Sequence, residues 1–198
     1  MSSESLAHLE VEEIVRRLRE NVAHIQPGDE IHPTEGVKCA AVLVPLLKEQ
    51  GEWHLLFTRR TEHVESHKGQ VSFPGGACDA GETTPEETAL REAAEEIGLD
   101  PRRVRVLGRL PPMITVTHFR VTPVVGTIEW PVVLKVSTIE VARVFTIPLA
   151  WLADPQNRWE FHRPDRGTLI AYHPYDGELL WGATARMTLM LLEALLKK

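Results

Sequence analysis

A turn-rich segment that runs directly into a short helix near the middle of the chain constrains the fold most strongly. Thr84 is a suitable N-cap, Pro85 fits the first helical position, and Glu87 completes a capping box with Thr84. Gly98 fits the left-handed conformation that commonly ends a helix. These signals predict a helix that begins at Pro85 and ends at Ile97.

The predicted helix has one apolar and one acidic face at about 100° per residue. The apolar face consists of Leu90, Ala93, Ala94 and Ile97. Glu92, Glu95 and Glu96 share the opposite face, and Arg91 is placed to contact Glu95 one turn away. Three carboxylates within one turn repel each other unless a cation lies among them, and the hard cations Mg²⁺ and Mn²⁺ prefer such oxygen ligands. The alternative is a solvated acidic helix face.

Loop and helix together resemble the Nudix box, which is a glycine, five residues, Glu, seven residues, and then Arg-Glu-x-x-Glu-Glu-x-Gly. The matching residues are Gly76, Glu82, Arg91, Glu92, Glu95, Glu96 and Gly98. The sequence departs from the pattern in one respect, because eight residues separate Glu82 from Arg91. We place the extra residue before the helix, around Thr83 and Thr84.

The resemblance implies an α+β fold, the Nudix-type α/β/α sandwich with a mixed β-sheet. It also implies metal-dependent hydrolysis of a nucleoside diphosphate linked to another moiety, with Mg²⁺ or Mn²⁺ as cofactor. The implied metal ligands are Glu92, Glu95, Glu96 and the Gly76 carbonyl, and one of the glutamates, Glu92 foremost, is a candidate base instead. Glu82 and Arg91 are implied to orient these carboxylates.

Upstream of the box, the sequence resembles the signature of the coenzyme A diphosphatase-like branch, Leu-Leu-Thr-x-Arg-(Ser or Ala)-x₃-Arg-x₃-Gly-x₃-Phe-Pro-Gly-Gly. The residues in register are Leu56, Thr58, Arg60, Gly69, Phe73, Pro74, Gly75 and Gly76, and the departures are Phe57, Thr61 and Glu65. Glu65 reverses the charge of the internal arginine. The resemblance implies cleavage of coenzyme A or acyl-coenzyme A to 4′-phosphopantetheine, or its acyl form, and adenosine 3′,5′-bisphosphate. The implied substrate-binding residues are Arg60, Lys68, Gly69, Phe73 and Gly75.

Other functions stay open on the sequence. Other Nudix substrates include ADP-ribose, dinucleotide polyphosphates and nucleoside triphosphates. A non-catalytic Nudix module that binds nucleotides belongs to another class, but it is expected to have lost glutamates that are all present here. An isopentenyl-diphosphate isomerase needs a dedicated cysteine, and neither Cys39, in a buried strand, nor Cys78, in the box loop, is well placed for that role.

Composition limits the partners and the compartment. The formal net charge of −6 argues against duplex nucleic acid or an anionic membrane as the main partner, and leaves a small-molecule nucleotide substrate. No apolar run reaches membrane-spanning length, and the first residues form no apolar signal core. The two cysteines, Cys39 and Cys78, predict no disulfide framework, and hence a reducing, cytoplasmic location. A homodimer is left open.

The rest of the chain predicts an N-terminal helix and linker over residues 1–36 and a single domain over 37–198. The helix has apolar residues at helical spacing and ends near Asn21. Residues 37–47 and 53–60 predict a hairpin of buried strands. Glu140 is either a surface carboxylate or an extra metal ligand or base. His63 and His67 are either a zinc pair or ordinary loop residues. The aromatic group near the C-terminus either lines a substrate pocket or packs in the core; it consists of Tyr172, His173, Tyr175 and Trp181.

Overall fold

The fold was analysed in a computed structural model, which describes residues 6, 9–22, 36–62, 68–163 and 167–197. The predicted histidine pair and Glu65 lie outside these residues. In the described part of the chain, no helix has the length and apolar content required to cross a membrane.

Helices and strands alternate along the chain largely as the sequence predicts. The helices are α1 (Val11–Asn21), α2 (Pro85–Ile97), α3 (Leu149–Ala153) and α4 (Gly182–Leu196). The strands are β1 (Lys38–Glu49), β2 (Glu52–Arg60), β3 (Val71–Ser72), β4 (Gly75–Ala77), β5 (Val104–Arg109), β6 (Met113–Ile114), β7 (Phe119–Ile128), β8 (Val141–Pro148), β9 (Arg158–Arg163) and β10 (Gly167–Tyr172). Short 3₁₀ turns cover Pro101–Arg103 and Pro155–Asn157.

The main sheet is mixed, as predicted. Its strands follow the order β3-β2-β1-β7-β5, with β4 also paired to β1, β6 to β7 and β8 to β2. β1 and β2 form the predicted antiparallel hairpin, whereas β1 and β7 run parallel. Parallel strands need a crossover connection, which here contains α2. β9 and β10 form a separate two-stranded sheet.

Helices cover the main sheet on both faces, so the chain is an α+β sandwich of the predicted kind. On one face, α2 packs its apolar side chains on β1, β2 and β7; this core includes Ala41, Leu43, Leu56, Ala89, Ala93, Ile97 and Val124. On the other face, α1, α3 and α4 enclose a larger core that includes Ile14, Leu18, Leu55, Phe57, Val125, Leu149, Leu191 and Leu195. The buried strands read as nearly continuous apolar runs because both faces are covered.

The N-terminal helix ends at Asn21, as predicted, and packs on the same core as the rest of the chain. The Asn21 side chain donates a 2.7 Å hydrogen bond to the Ala194 carbonyl of α4, and the indole of Trp53 donates one of 2.7 Å to the Leu9 carbonyl. α1 thus closes the core beside α4. The division into residues 1–36 and 37–198 stays a prediction.

The cysteines contradict the sequence analysis. Cys39 on β1 and Cys78 after β4 form a disulfide, with their Cα atoms 5.4 Å apart. The prediction that they form no disulfide was wrong because the antiparallel pairing of β4 with β1 brings together two residues that lie 39 positions apart. The cytoplasmic location had relied on two free thiols, so it stays a prediction without that support.

Reduction of this disulfide is expected to lower the free energy of unfolding by about 2–4 kcal/mol, because the unfolded chain regains the entropy of an open loop. Thermal unfolding with and without dithiothreitol measures the effect. The double variant Cys39→Ser/Cys78→Ser is the control and should not respond to the reductant. An equal melting temperature of the wild-type protein in both conditions would contradict the prediction.

Candidate active site

The site is built around α2, whose ends are set by local interactions. The Thr84 hydroxyl accepts a hydrogen bond from the Glu87 amide, and the Glu87 carboxylate accepts one from the Thr84 amide, which forms the predicted capping box. Gly98 ends the helix with φ +66°. The extra residue between Glu82 and Arg91 precedes the helix, so the register of its acidic residues is unchanged.

Arg91 lies at the centre of a hydrogen-bonded cluster at the N-terminal end of the site. Its Nε donates to Glu82 Oε1 at 2.8 Å, and its Nη1 donates to Glu92 Oε1 at 2.9 Å and to Glu95 Oε2 at 3.1 Å. Its Nη2 donates to the Ala77 carbonyl at 2.9 Å, which ties the helix to the loop. The guanidinium thereby holds three carboxylates in fixed positions.

Glu82 reaches back to Arg91 as expected. Besides Arg91, its carboxylate accepts a hydrogen bond of 2.6 Å from the Thr88 hydroxyl and one of 2.7 Å from the Asp79 amide. The Arg91 guanidinium, together with these donors, lowers the pKa of Glu82 to about 2. Glu82 is therefore ionised at neutral pH and serves as an anchor for the loop.

Burial of Glu96 rules out the alternative of a solvated helix face at this residue. Its residue is only 2% exposed, because α2 lies close enough to the sheet to enclose this side chain. Glu96 Oε1 accepts a hydrogen bond of 3.3 Å from Arg60 Nη1 at the end of β2, and Oε2 is buried with no hydrogen-bond partner. Burial raises the pKa of Glu96 to about 7, although Arg60 opposes this and the charge of Glu92 adds to it.

The Glu92 side chain extends from the helix toward the loop and lies directly against the Gly76 backbone. A Cβ at position 76 would overlap the Glu92 carboxylate, so glycine is the residue that permits this approach. Burial raises the pKa of Glu92, and Arg91 partly offsets that increase. Glu92 and the Gly76 main chain thus form a narrow, oxygen-rich cradle.

Glu140 joins this group from the loop that precedes β8. The Thr61 amide donates to the Glu140 carbonyl at 2.9 Å, and the Thr61 hydroxyl donates to the Ile139 carbonyl at 2.7 Å. The charge of the Glu140 carboxylate contributes to the raised pKa values of both Glu92 and Glu96. The Glu140 charge therefore acts on the acidic residues of α2, and its role as a ligand or a base stays a prediction.

The donor set suits a hard divalent cation. Glu92, Glu96 and Glu140 supply carboxylate oxygens, one of which, Glu96 Oε2, is buried without a partner. Glu95 lies at the rim, with its side chain 58% exposed. Across the described residues, however, no three His, Cys, Asp or Glu side chains converge in a geometry ready to hold a metal ion. Glu92 and Glu95 are turned toward Arg91 instead, and Glu96 is turned toward Arg60.

The loop before the box contributes residues of different kinds. Phe73 is buried and its ring stacks on Phe57, so the side chain supports the loop from within the core. Gly75 lies against β1, where a Cβ would overlap the backbone of Ala41. Lys68 is exposed and precedes Gly69, whose amide donates to the Thr61 carbonyl at 3.4 Å.

The aromatic residues near the C-terminus divide between the core and the surface. Tyr172 is fully buried, and the rings of Tyr175 and Trp151 form an edge-to-face pair with centroids 4.9 Å apart. His173 is exposed, and its ring lies tilted against that of Trp159 with the centroids 4.9 Å apart. Core packing therefore accounts for Tyr172.

Comparisons with known proteins agree with this fold. Residues 37–165 match the family described as NUDIX domain. The protein named uncharacterized Nudix hydrolase NudL from Salmonella paratyphi B is 38% identical over 158 residues, which are 79% of this chain and 82% of that protein, and the Salmonella newport protein of the same name gives the same values. The crystal structure of the M. smegmatis Nudix hydrolase RenU aligns with a TM-score of 0.51 and 24% identity, and covers 59% of this chain and 74% of that one. The box helix is capped and places glutamates near the sheet, and the family matches most of the length of the chain. The chain therefore belongs to the Nudix hydrolase family.

Proposed function

We propose that this protein hydrolyses the diphosphate bond of coenzyme A or acyl-coenzyme A, and yields 4′-phosphopantetheine, or its acyl form, and adenosine 3′,5′-bisphosphate. The observation that carries the proposal is the 3.3 Å contact between Arg60, from the branch signature, and Glu96, from the Nudix box. Two motifs that are separated in sequence therefore meet at one carboxylate. A segment that binds the substrate beside a hydrolytic centre is expected to have this arrangement.

Nudix hydrolases generally use divalent metal ions, and we assign Mg²⁺ or Mn²⁺ to this site. Its ligands in the proposal are Glu92, Glu95, Glu96 and the Gly76 carbonyl, and Glu140 supplies a further carboxylate. When bound, such an ion neutralises the anionic oxygens of a diphosphate and makes water more acidic. The oxygen donors of this chain match the preference of both ions.

The remaining roles belong to the side chains themselves. Arg91 and Glu82 orient Glu92 and Glu95 through the hydrogen bonds described above. One of the glutamates serves as the base for the attacking water instead of as a ligand, and Glu92 is the first candidate, because burial moves its pKa upward, toward the pH at which a base works best. Glu140 is the alternative base, since its charge acts on the same group of carboxylates.

Substrate choice in this proposal depends on a basic residue near the site. Coenzyme A differs from dephospho-coenzyme A by its 3′-phosphate, and in this proposal Lys68, which is exposed on a turn, contacts that phosphate. The turn is fastened to Thr61, which also holds Glu140. Arg60 is the second cation in this region, although it contacts Glu96 in this structure.

Coenzyme A is expected to be cleaved with a kcat/KM roughly tenfold above that of dephospho-coenzyme A, because a charge-assisted phosphate contact is lost in the latter. A panel that also contains ADP-ribose, a dinucleotide polyphosphate and a nucleoside triphosphate, assayed with Mg²⁺ and with Mn²⁺, measures this preference, and product masses identify the broken bond.

The matched variants for this panel are Lys68→Ala and Lys48→Ala. The first should shrink the preference for coenzyme A and leave dephospho-coenzyme A cleavage nearly unchanged. The second removes a lysine that lies over the Trp53 ring and serves as the control. Far better cleavage of ADP-ribose or a nucleoside triphosphate would overturn the substrate assignment, and turnover of no diphosphate would favour a non-catalytic module.

A further inference from the structure

We propose that Arg60 is a displaceable counter-ion of Glu96. Its guanidinium holds the Glu96 carboxylate until a divalent cation binds, and then moves away from it. The inference rests on the proposed function in one respect, the role of Glu96 as a metal ligand. It assigns Arg60 a positioning role that competes with metal binding, in addition to any contact with substrate.

Burial explains why Glu96 needs a counter-ion at all. A buried carboxylate without a cationic partner is strongly destabilising, and Arg60 Nη1 lies 3.3 Å from Glu96 Oε1. The Arg60 side chain is itself 26% exposed, so it can move toward solvent at a smaller cost than Glu96 can. Of the two partners, Arg60 is the one able to leave.

The end of β2 directs Arg60 to this carboxylate. Consecutive residues of a strand point to opposite faces of the sheet, and Arg60 follows Leu56 on the face that α2 covers. Arg60 reaches α2, whereas Arg59 lies 3.7 Å from Glu178, a residue outside the acidic group of α2. Neighbouring arginines thus have separate carboxylate partners.

Competition follows from the charges involved. A guanidinium stays protonated at any physiological pH, so it cannot make room for a second cation by losing its proton. A divalent ion and a guanidinium at one buried carboxylate repel each other strongly in a medium less polarisable than water. Glu96 and Glu92 also fail to converge into a metal site while Glu96 is turned toward Arg60 and Glu92 toward Arg91. Departure of Arg60 removes the repulsion and releases Glu96 Oε1.

A rival arrangement is equally specific. Glu96 Oε2 has no partner, so a metal ion on Oε2 and Arg60 on Oε1 could bind together, with Arg60 holding the ligand in place. Under competition, removal of the guanidinium strengthens metal binding; under joint binding, it weakens metal binding. The two arrangements therefore predict changes of opposite sign.

The test is Mn²⁺ affinity without substrate, measured by the electron paramagnetic resonance signal of free Mn²⁺ in the wild-type protein, Arg60→Gln, Arg60→Lys and Arg59→Gln. We expect Arg60→Gln to bind Mn²⁺ roughly tenfold more tightly, because one charge-assisted hydrogen bond no longer competes. Arg60→Lys should lie between Arg60→Gln and the wild-type protein. Arg59→Gln removes the same charge one residue away and should equal the wild-type protein.

Several results would overturn the inference. They are unchanged or weaker binding by Arg60→Gln, an equal gain in Arg59→Gln, or no Mn²⁺ binding by the wild-type protein. If Arg60→Gln does not fold, Arg60→Lys decides, and unchanged or weaker binding by that variant counts against the inference. The result is separate from the substrate panel, since the expected order of affinities would stand even if no diphosphate were cleaved.

Discussion

Glu96→Gln is expected to fold normally and to lose about 10²–10⁴-fold in turnover, with weaker Mn²⁺ binding, because a neutral amide replaces a carboxylate ligand. Steady-state kinetics on the best substrate of the panel measures the loss. Glu52→Gln, at the far end of β2, is a matched control for the same chemical change. Normal turnover in Glu96→Gln would contradict the ligand assignment.

The same variant should be more stable than the wild-type protein in the absence of metal. The folded-state pKa of Glu96 is about 7, against 4.5 for a free side chain, so its contribution to stability is full below pH 4.5 and is lost as the pH rises through 7. Glutamine is neutral at every pH, so the variant does not lose this stability as the pH rises. At pH 8 the gain in unfolding free energy should be about 3 kcal/mol, and it should shrink toward pH 5.

Urea unfolding in EDTA at several pH values measures this trend. Glu95→Gln is the second control, because it makes the same chemical change on α2 at a side chain that is 58% exposed. A gain for Glu96→Gln that does not grow between pH 5 and 8 would show that burial of the carboxylate is not costly. Opposite effects on turnover and stability are the signature of a functional residue held in an unfavourable place.

Arg91→Ala is expected to lower both activity and stability. It leaves Glu82 and Glu92 without their shared cation and cuts the link to the Ala77 carbonyl. The expected loss is about 2–4 kcal/mol in unfolding free energy and at least roughly tenfold in kcat/KM. Thermal unfolding and kinetics on one preparation measure both effects.

The pH dependence adds a second readout for Arg91. Since the pKa of Glu82 is lowered to about 2, the stability that this pair contributes is present above pH 4.5 and is lost as the pH falls toward 2. Arg91→Ala should lack this acid-side loss. Arg102→Ala is the control, because that arginine also lowers the pKa of its partner Asp100 to about 2 but is 90% exposed, so solvent screens the pair and its loss should change stability little. If Arg91→Ala and Arg102→Ala behave alike, Arg91 is a solvated surface charge.

Features that depend on near neighbours in the chain could be predicted from the sequence. The bounds of α2, its capping box and its left-handed terminus depend on contacts within four residues, and each formed as predicted. The β1–β2 hairpin follows from apolar runs separated by turn residues. The contact between Glu82 and Arg91 spans nine residues and was expected from the box pattern.

Tertiary structure alone decided the properties that depend on strand pairing and on the distance of α2 from the sheet. Periodicity placed Glu96 on the acidic face, but the sheet and the loop before β8 enclose it, and its partner Arg60 lies 36 residues away. The same pairing of distant strands joined Cys39 to Cys78 and brought Glu140 to the site. A helical pattern specifies the direction of a side chain, whereas its burial, its pKa and its partner depend on elements that reach it from elsewhere in the chain.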